Sequence, residues 1–363
     1  MKCRLGDLAR VSSSKRIYAK EYTTSGIPFY RGKEIIELGS GHLVSNKLFI
    51  SKDRFNQIRS KYDDVPEKDD VLITAVGTIG ETYLVKSRDL PFYFKDGNLI
   101  KLSKWNRQIV LPEYMYYWLN SYTGKMSIKK ITIGSTQQAI TIRELSDIEL
   151  DLPPIREQGK IAQRLSTLDF SIDNNKHINA NLLELSKTLF IKKFGNTNGD
   201  KHIKDYLSPK RGKNLLKKNV VKGSIPVIAG GLHPAAYHNK SNTGSPVITI
   251  SASGANAGFV NIWLNRVWSS DSSFIDPSVT DNVYFWYLLL KNRQKEIFDS
   301  QTGSAQPHIY PKHIENMPVR KFDNDLIAEF NGLVTPIFEN IGANLVERRN
   351  LNQIKNELLN KLF

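Results

Sequence analysis

Residues 152–194, LPPIREQGKIAQRLSTLDFSIDNNKHINANLLELSKTLFIKKF, constrain the fold more than any other stretch of this chain. The pair Pro153 and Pro154 suits the start of a helix and forbids one just upstream. Apolar residues then recur at Ile161, Leu165, Leu168, Ile172, Leu182, Leu185 and Leu189, mostly three or four apart. That spacing lays them along one helical stripe. An unbroken helix from 155 to 194 is roughly 60 Å long at 1.5 Å per residue, more than a compact domain needs for itself.

The run occurs twice. Adding 169 to the numbering gives Phe330, Val334, Ile337, Ile341, Leu351, Ile354 and Leu358, and Phe194 falls on Phe363. Asn175 falls on Asn344 and Asn179 on Arg348. A periodic apolar seam broken by polar residues at fixed places is how paired helices set their register. The repeat therefore predicts two long helices packed as an antiparallel, coiled-coil-like pair. Its expected seam is Ile161, Leu165, Leu168, Ile172, Leu182 and Leu189 against Val334, Ile337, Ile341, Leu351 and Leu358. Two unrelated amphipathic helices would not share an offset.

The remaining sequence duplicates as well. Candidate strands at 27–30, 71–75, 82–85 and 99–102 surround a turn, Gly77-Thr78-Ile79-Gly80, and lead to an aromatic helix from Pro112 to Leu119. In the second half, Gly223-Ser224-Ile225-Pro226 echoes Ser25-Gly26-Ile27-Pro28, and 247–251 runs into Ser253-Gly254-Ala255-Asn256-Ala257-Gly258. The aromatic helix returns at 283–290. Gly134-Ser135-Thr136-Gln137-Gln138 meets Gly303-Ser304-Ala305-Gln306-Pro307 at the same offset of 169. A period this long is a domain pair, not a solenoid. The reading is an α+β chain with pseudo-twofold organisation. Residues 1–151 form a first mixed domain, 152–196 a first spacer helix, 200–320 a second mixed domain and 321–363 a second helix.

Charge follows the same plan. The net charge is +15; residues 1–150 and 200–320 each contribute +7, and the helical segments are near neutral. Two basic lobes point to a polyanion touched in two places. Cys3 is the single cysteine, so no internal disulfide forms and a reducing cytoplasm is the expected location. No apolar run reaches the ~20 residues of a membrane-spanning helix, so no membrane partner is expected.

The marks of an enzyme are missing. There is no G-x-x-x-x-G-K-[ST] loop, no cysteine pair for zinc, no H-E-x-x-H and no G-x-S-x-G. Asp63-Asp64 and Asp69-Asp70 read as a solvated loop rather than a metal site. No catalytic or metal-binding residue is expected. Candidates for DNA contact are Lys129 and Lys130, the adjacent Ser135, Thr136 and Gln137, and a flexible basic stretch with Lys210, Arg211, Lys213, Lys217 and Lys218. Asn256 and Gln306 complete the set. Lysine and arginine neutralise phosphates, and small or amide residues on a glycine turn approach the backbone or pair with a base edge.

GSTQQAIT leading into LPPIREQGKIAQRLSTLDFSI, with ISASGANAGFV in the second half, resembles the specificity subunits of type I restriction-modification enzymes. The resemblance covers both halves and departs at Lys321-Phe322-Asp323-Asn324-Asp325, where the Leu-Pro-Pro-x-x-Glu-Gln pattern is replaced. It implies two DNA target-recognition domains, each reading one half of a split double-stranded site, and a helix pair that sets the gap. It implies docking of two methyltransferase subunits and of restriction subunits, with S-adenosylmethionine, ATP and Mg bound on those partners and no cofactor in this chain. A detached targeting subunit of a fused restriction-methyltransferase system fits the same residues. A coiled-coil scaffold without a DNA role and a nuclease are the readings from other classes.

Overall fold

Each half of the chain builds a four-stranded antiparallel sheet in the same strand order. The computed structural model describes every residue except 42, 43, 45–47, 135–137, 304 and 305. In the first half the strands are β1 (Arg10–Ser12), β2 (Val71–Thr74), β3 (Thr82–Leu84) and β4 (Leu99–Ser103), ordered β1-β4-β2-β3. In the second they are β5 (Lys210–Arg211), β6 (Val247–Ser251), β7 (Val260–Trp263) and β8 (Ser272–Ile275), ordered β5-β8-β6-β7. Central strands β2 and β6 are buried at every residue, as expected of continuous β-branched and leucine runs covered on both faces. A smaller mixed sheet accompanies each. In one, Ile27–Tyr30 runs parallel to Tyr93–Phe94; in the other, Lys222–Ile228 runs parallel to Trp268–Ser269.

Helices α1 (Pro112–Asn120) and α2 (Tyr122–Lys130) follow the first sheet, and α3 (Ile155–Phe194) is the first long helix. Their counterparts are α4 (Val283–Asn292), α5 (Gln294–Asp299) and α6 (Asn324–Leu362). The aromatic rows are core. Met115 and Leu119 on α1 and Phe285, Leu289 and Leu290 on α4 have no exposed surface. Burying each such side chain contributes about 1.5–3 kcal/mol. Pro336 lies inside α6 and removes one helical donor, with Gly332 at the position its ring would crowd.

The chain falls into two compact units, Met1–Asp173 with Arg348–Phe363, and Asn174–Glu347, so each long helix is shared between them. Within the second unit the helices run antiparallel. Lys193 meets Glu329 at 2.7 Å, Asn179 accepts from Asn344 at 2.7 Å, and Asn175 donates to Glu347 at 3.0 Å. Phe190 and Phe194 pack with Phe285 and Phe330. In the first unit Leu165 and Leu359 join the sheet's core, with Ile161 and Leu358 at its edge, and Phe363 lies 5.2 Å from the ring of Tyr114.

Of the expected seam, Leu165, Ile172 and Val334 are buried, and Ile161, Leu168, Leu182, Leu189, Ile337, Ile341, Leu351 and Leu358 are partly buried. Two residues of the repeat are corrected. Leu185 and Ile354 are exposed, and the inward places are one residue later, at Ser186 and Lys355. Helical drift carries the stripe past Leu185. Ser186 hydrogen-bonds its own helix at Leu182, and Lys355 finds a carboxylate, so both polar groups are satisfied.

The two long helices begin differently, at the place where the sequence pattern departs at 321–325. Gln158 on the first turn of α3 has no exposed surface; its amide accepts from Leu111 N and donates to the carbonyls of Ile109 and Pro153. The corresponding residue of α6 is Ile327, buried without polar atoms, while Asp323 supplies the N-terminal acceptors.

Candidate nucleic-acid interface

The glycine motifs form the same device in both units. In the first, the turn between β2 and β3 places Gly77 at φ +79° and Gly80 at φ +83°, a region costly for any other residue. The two glycines differ in purpose. A Cβ on Gly80 would stand 3.2 Å from Ile128 of α2, while one on Gly77 would meet nothing within 4 Å. Gly80 thus allows packing, whereas at Gly77 only the positive φ calls for glycine and the space beside it is open. A hairpin docks on this turn. Ile133 and Ala139 exchange both backbone bonds at 2.9 Å, Val76 bridges to Ala139, and Ile140 N donates to Ala75 O at 3.0 Å. The candidates Ser135, Thr136 and Gln137 lie outside the described residues.

In the second unit Gly254 at φ +80° is open and Gly258 at φ +85° packs on Ile297. Thr302 and His308 close the equivalent hairpin, Ser253 bridges to His308, and Ile309 N donates to Ala252 O at 2.9 Å. Ile128 and Ile297, like Ile140 and Ile309, are 169 residues apart and do the same job. Of the candidates here, Asn256 is half-buried and its carbonyl accepts from Phe259 N, whereas Gln306 is exposed.

The surroundings of the two devices differ. Beside the first, an open cavity of about 430 Å³ is lined by Gly77, Gly80, Glu81, Lys125, Lys129 and Gln138. Lys125 and Lys129 are one helical turn apart and both exposed, as is Lys130. Lys129 and Lys130 end α2, where the exposed carbonyls favour cations independently of any ligand. Lys125 went unnoticed in the sequence because only the fold sets it against the glycine turn.

Beside the second device stands a row of flat side chains. The Tyr310 ring is near-parallel to those of His308 (5.8 Å, planes 12° apart) and His313 (5.7 Å, 23°). The Arg211 guanidinium is 5.9 Å from the Tyr310 ring and is paired with Asp271 at 3.1 Å. The other Asp271 oxygen accepts from the Ser253 hydroxyl. The sequence signal was slight. Tyr310 and His313 occupy the places where Thr141 and Glu144 make a polar helix cap in the first half.

The basic stretch is not the flexible loop expected. Lys210 and Arg211 are strand β5, paired with Phe274 and Ser273. Lys213 N donates to Ser269 O at 2.9 Å, Trp268 Nε1 donates to Lys213 O at 2.8 Å, and Leu215 N reaches Ser270 Oγ at 3.0 Å. Backbone groups that would otherwise lack partners pin the segment to the sheet. Lys213, Lys217 and Lys218 remain exposed on it, while Lys210 is held by Ser278 at 2.8 Å.

One charged cluster lies inside the first unit. Lys101 on β4, 3% exposed, sits 3.4 Å from Asp64 and 3.7 Å from Asp70, and donates to Val65 O. Burial pushes the Asp70 carboxyl up to about 6 despite the nearby ammonium. Asp64 and Asp70, read with Asp63 and Asp69 as a solvated loop, are therefore part of an internal ion cluster, while Asp63 stays exposed. Among the described residues no group of three or more His, Cys, Asp or Glu is placed to hold a metal ion. No helix among them is long and apolar enough to cross a membrane.

Comparison with known proteins gives one consistent family. Residues 1–184 match the model of the type I restriction modification DNA specificity domain. The MjaIX type I restriction enzyme specificity subunit of Methanocaldococcus jannaschii is 26% identical, over 94% of this chain and 87% of that one. The HindI specificity subunit of Haemophilus influenzae is 25% identical over 51% of this chain, which spans 39% of that relative's length. The fold is that of the S subunit of a type I restriction-modification system from M. genitalium, with a TM-score of 0.63, 18% identity, and coverage of 100% of this chain and 96% of the other. With a family match over half its length and a duplicated plan throughout, this chain belongs to the DNA specificity subunits of type I restriction-modification systems.

Proposed function

We propose that this chain reads a bipartite double-stranded DNA target, one half-site per lobe, and performs no chemistry itself. The observation that carries the reading is the repeated device: a glycine turn with one open glycine, a docked hairpin, and basic side chains around it, built twice with different residues. Phosphate neutralisation by lysines such as Lys125, Lys129, Lys217 and Lys218 would supply affinity, and side chains on the two hairpins would supply sequence. The helix pair would set the unread gap, since stiff helices transmit a fixed spacing where a linker would not.

Methylation and cleavage belong, on this reading, to partners: two methyltransferase subunits binding S-adenosylmethionine, and restriction subunits using ATP and Mg. Large apolar residues exposed on the long helices support docking there. Phe170 is 73% exposed, Leu333 54% and Ile191 51%, and each offers apolar surface to a partner. Methylome sequencing of cells carrying this chain with its methyltransferase tests the whole reading. A methylated motif of two short specified segments around an unspecified gap is expected; an uninterrupted motif, or none, refutes it.

A further inference from the structure

Resting on the DNA-reading role, we infer that the second lobe carries a stacking platform for an unpaired nucleobase, formed by Arg211, His308, Tyr310 and His313. Tyr310 is 46% exposed, so it is not core. Arg211 already has a carboxylate partner in Asp271, which weakens it as a phosphate contact and leaves its flat face as what it offers.

The geometry then specifies the ligand. Ring planes within 12° and 23° of parallel, at centroid separations of 5.8 and 5.7 Å, overlap only in part. Offset stacking of this kind leaves uncovered ring face beside each neighbour. His313 is fixed in place because its Nδ1 accepts from Tyr310 N at 2.8 Å, and the backbone that carries His308 is held by two bonds to Thr302. Asp271, itself tied to Ser253, steadies Arg211 over the ring. The staircase is therefore preorganised before anything binds.

A planar π-faced guest on a basic lobe is a nucleobase. Bases inside an intact duplex have both faces covered, so the platform suits one that is bulged or swung out at a kinked step. Exposed Gln306, on the hairpin that ends at His308, stands near enough in sequence to address such a base by its edge. Among the described residues the first lobe has no such row: Ala139, Thr141 and Glu144 occupy the matching places. Only one half-site would then be read with an unstacked base.

The test compares binding of the full chain to random-sequence 40-mer duplexes with and without a central single-adenine bulge, by fluorescence anisotropy. The bulged pool should bind about five- to tenfold more tightly, within the range for one base–aromatic stack. Tyr310→Leu should abolish that preference while changing intact-duplex affinity less than about twofold, and Tyr310→Phe should keep it. Arg211→Lys, which retains charge and loses the plane, should reduce it, and Thr141→Leu in the first lobe should leave it alone. Equal binding of the two pools by the unaltered chain overturns the platform and leaves duplex recognition standing. Equal weakening of both pools by Tyr310→Leu also overturns it. A chain that binds neither pool at low salt overturns both this inference and the DNA-reading role.

Discussion

At one joint the two units solve the same packing problem with opposite chemistry. In the first, Tyr117 donates to Asp169 at 2.9 Å, and Lys355 reaches the other oxygen of that carboxylate at 2.6 Å. The matching places in the second hold Phe338 and Ser186, with Tyr287 one residue past the offset of 169. There Phe338 meets Tyr287 edge-on at 5.8 Å and stacks on Tyr284 at 4.4 Å. A polar trio joins lobe to helix in one unit, and aromatic packing does so in the other. Gln158 against Ile327 repeats the contrast. A duplicated scaffold thus tolerates exchange of ionic for apolar joints, provided every buried polar group is satisfied.

That contrast should be measurable, and the largest effect belongs to the apolar joint. Phe338→Ala removes a ring that is 1% exposed and should destabilise the second unit by about 3–5 kcal/mol in urea unfolding. A loss under about 1 kcal/mol would mean the joint is not packed as described. Next comes pH. Because burial lifts Asp70 from its ordinary 3.8 to about 6, the folded first unit holds that proton more tightly than the unfolded chain. The Asp70 contribution to stability should therefore be greatest below pH 3.8, fall on the order of 3 kcal/mol as pH rises to about 6, and then level off. Hydrogen exchange of β2 amides should follow that slope while β6 amides do not, and Asp70→Asn should remove it.

Smaller effects sharpen the comparison further. Asp169→Ala leaves Lys355 without its carboxylate and the Tyr117 hydroxyl without its acceptor. Lys355 keeps some water but Tyr117 is only 3% exposed, so about 1–3 kcal/mol is expected, read by the same urea titration. A cost as large as that of Phe338→Ala would place the strength of both joints in charge rather than packing. Smallest are the lysine pairs. Lys125→Ala with Lys129→Ala in one lobe, or Lys217→Ala with Lys218→Ala in the other, should each lower the slope of log binding against log salt by about 2. A pair that leaves the slope unchanged does not face DNA.

Much of the architecture was legible because it is periodic. The bounds of α3, the strands at β2, β4 and β6, and the buried aromatic helices all follow from local spacing that needs no partner to be read. The offset of 169 located both glycine turns. The nucleic-acid face was legible only in outline. Gly134 and Gly303 marked the hairpins, yet nothing in either segment announced that Val76 or Ser253 would hold them. Lys210–Arg211 read as loose basic chain because strand pairing with β8 is non-local.

The sequence by itself determined a twofold plan, two long helices, two basic lobes and the want of catalytic motifs, since repetition, periodicity and charge are written residue by residue. Only the tertiary structure decided which neighbours meet. It set Lys125 beside Gly77, brought Arg211 to Tyr310 across a hundred residues, buried Lys101 with two aspartates, and turned Leu185 outward in favour of Ser186. Those choices rest on strand order and on satisfying buried polar groups, and both are properties of the assembled fold rather than of any segment in it.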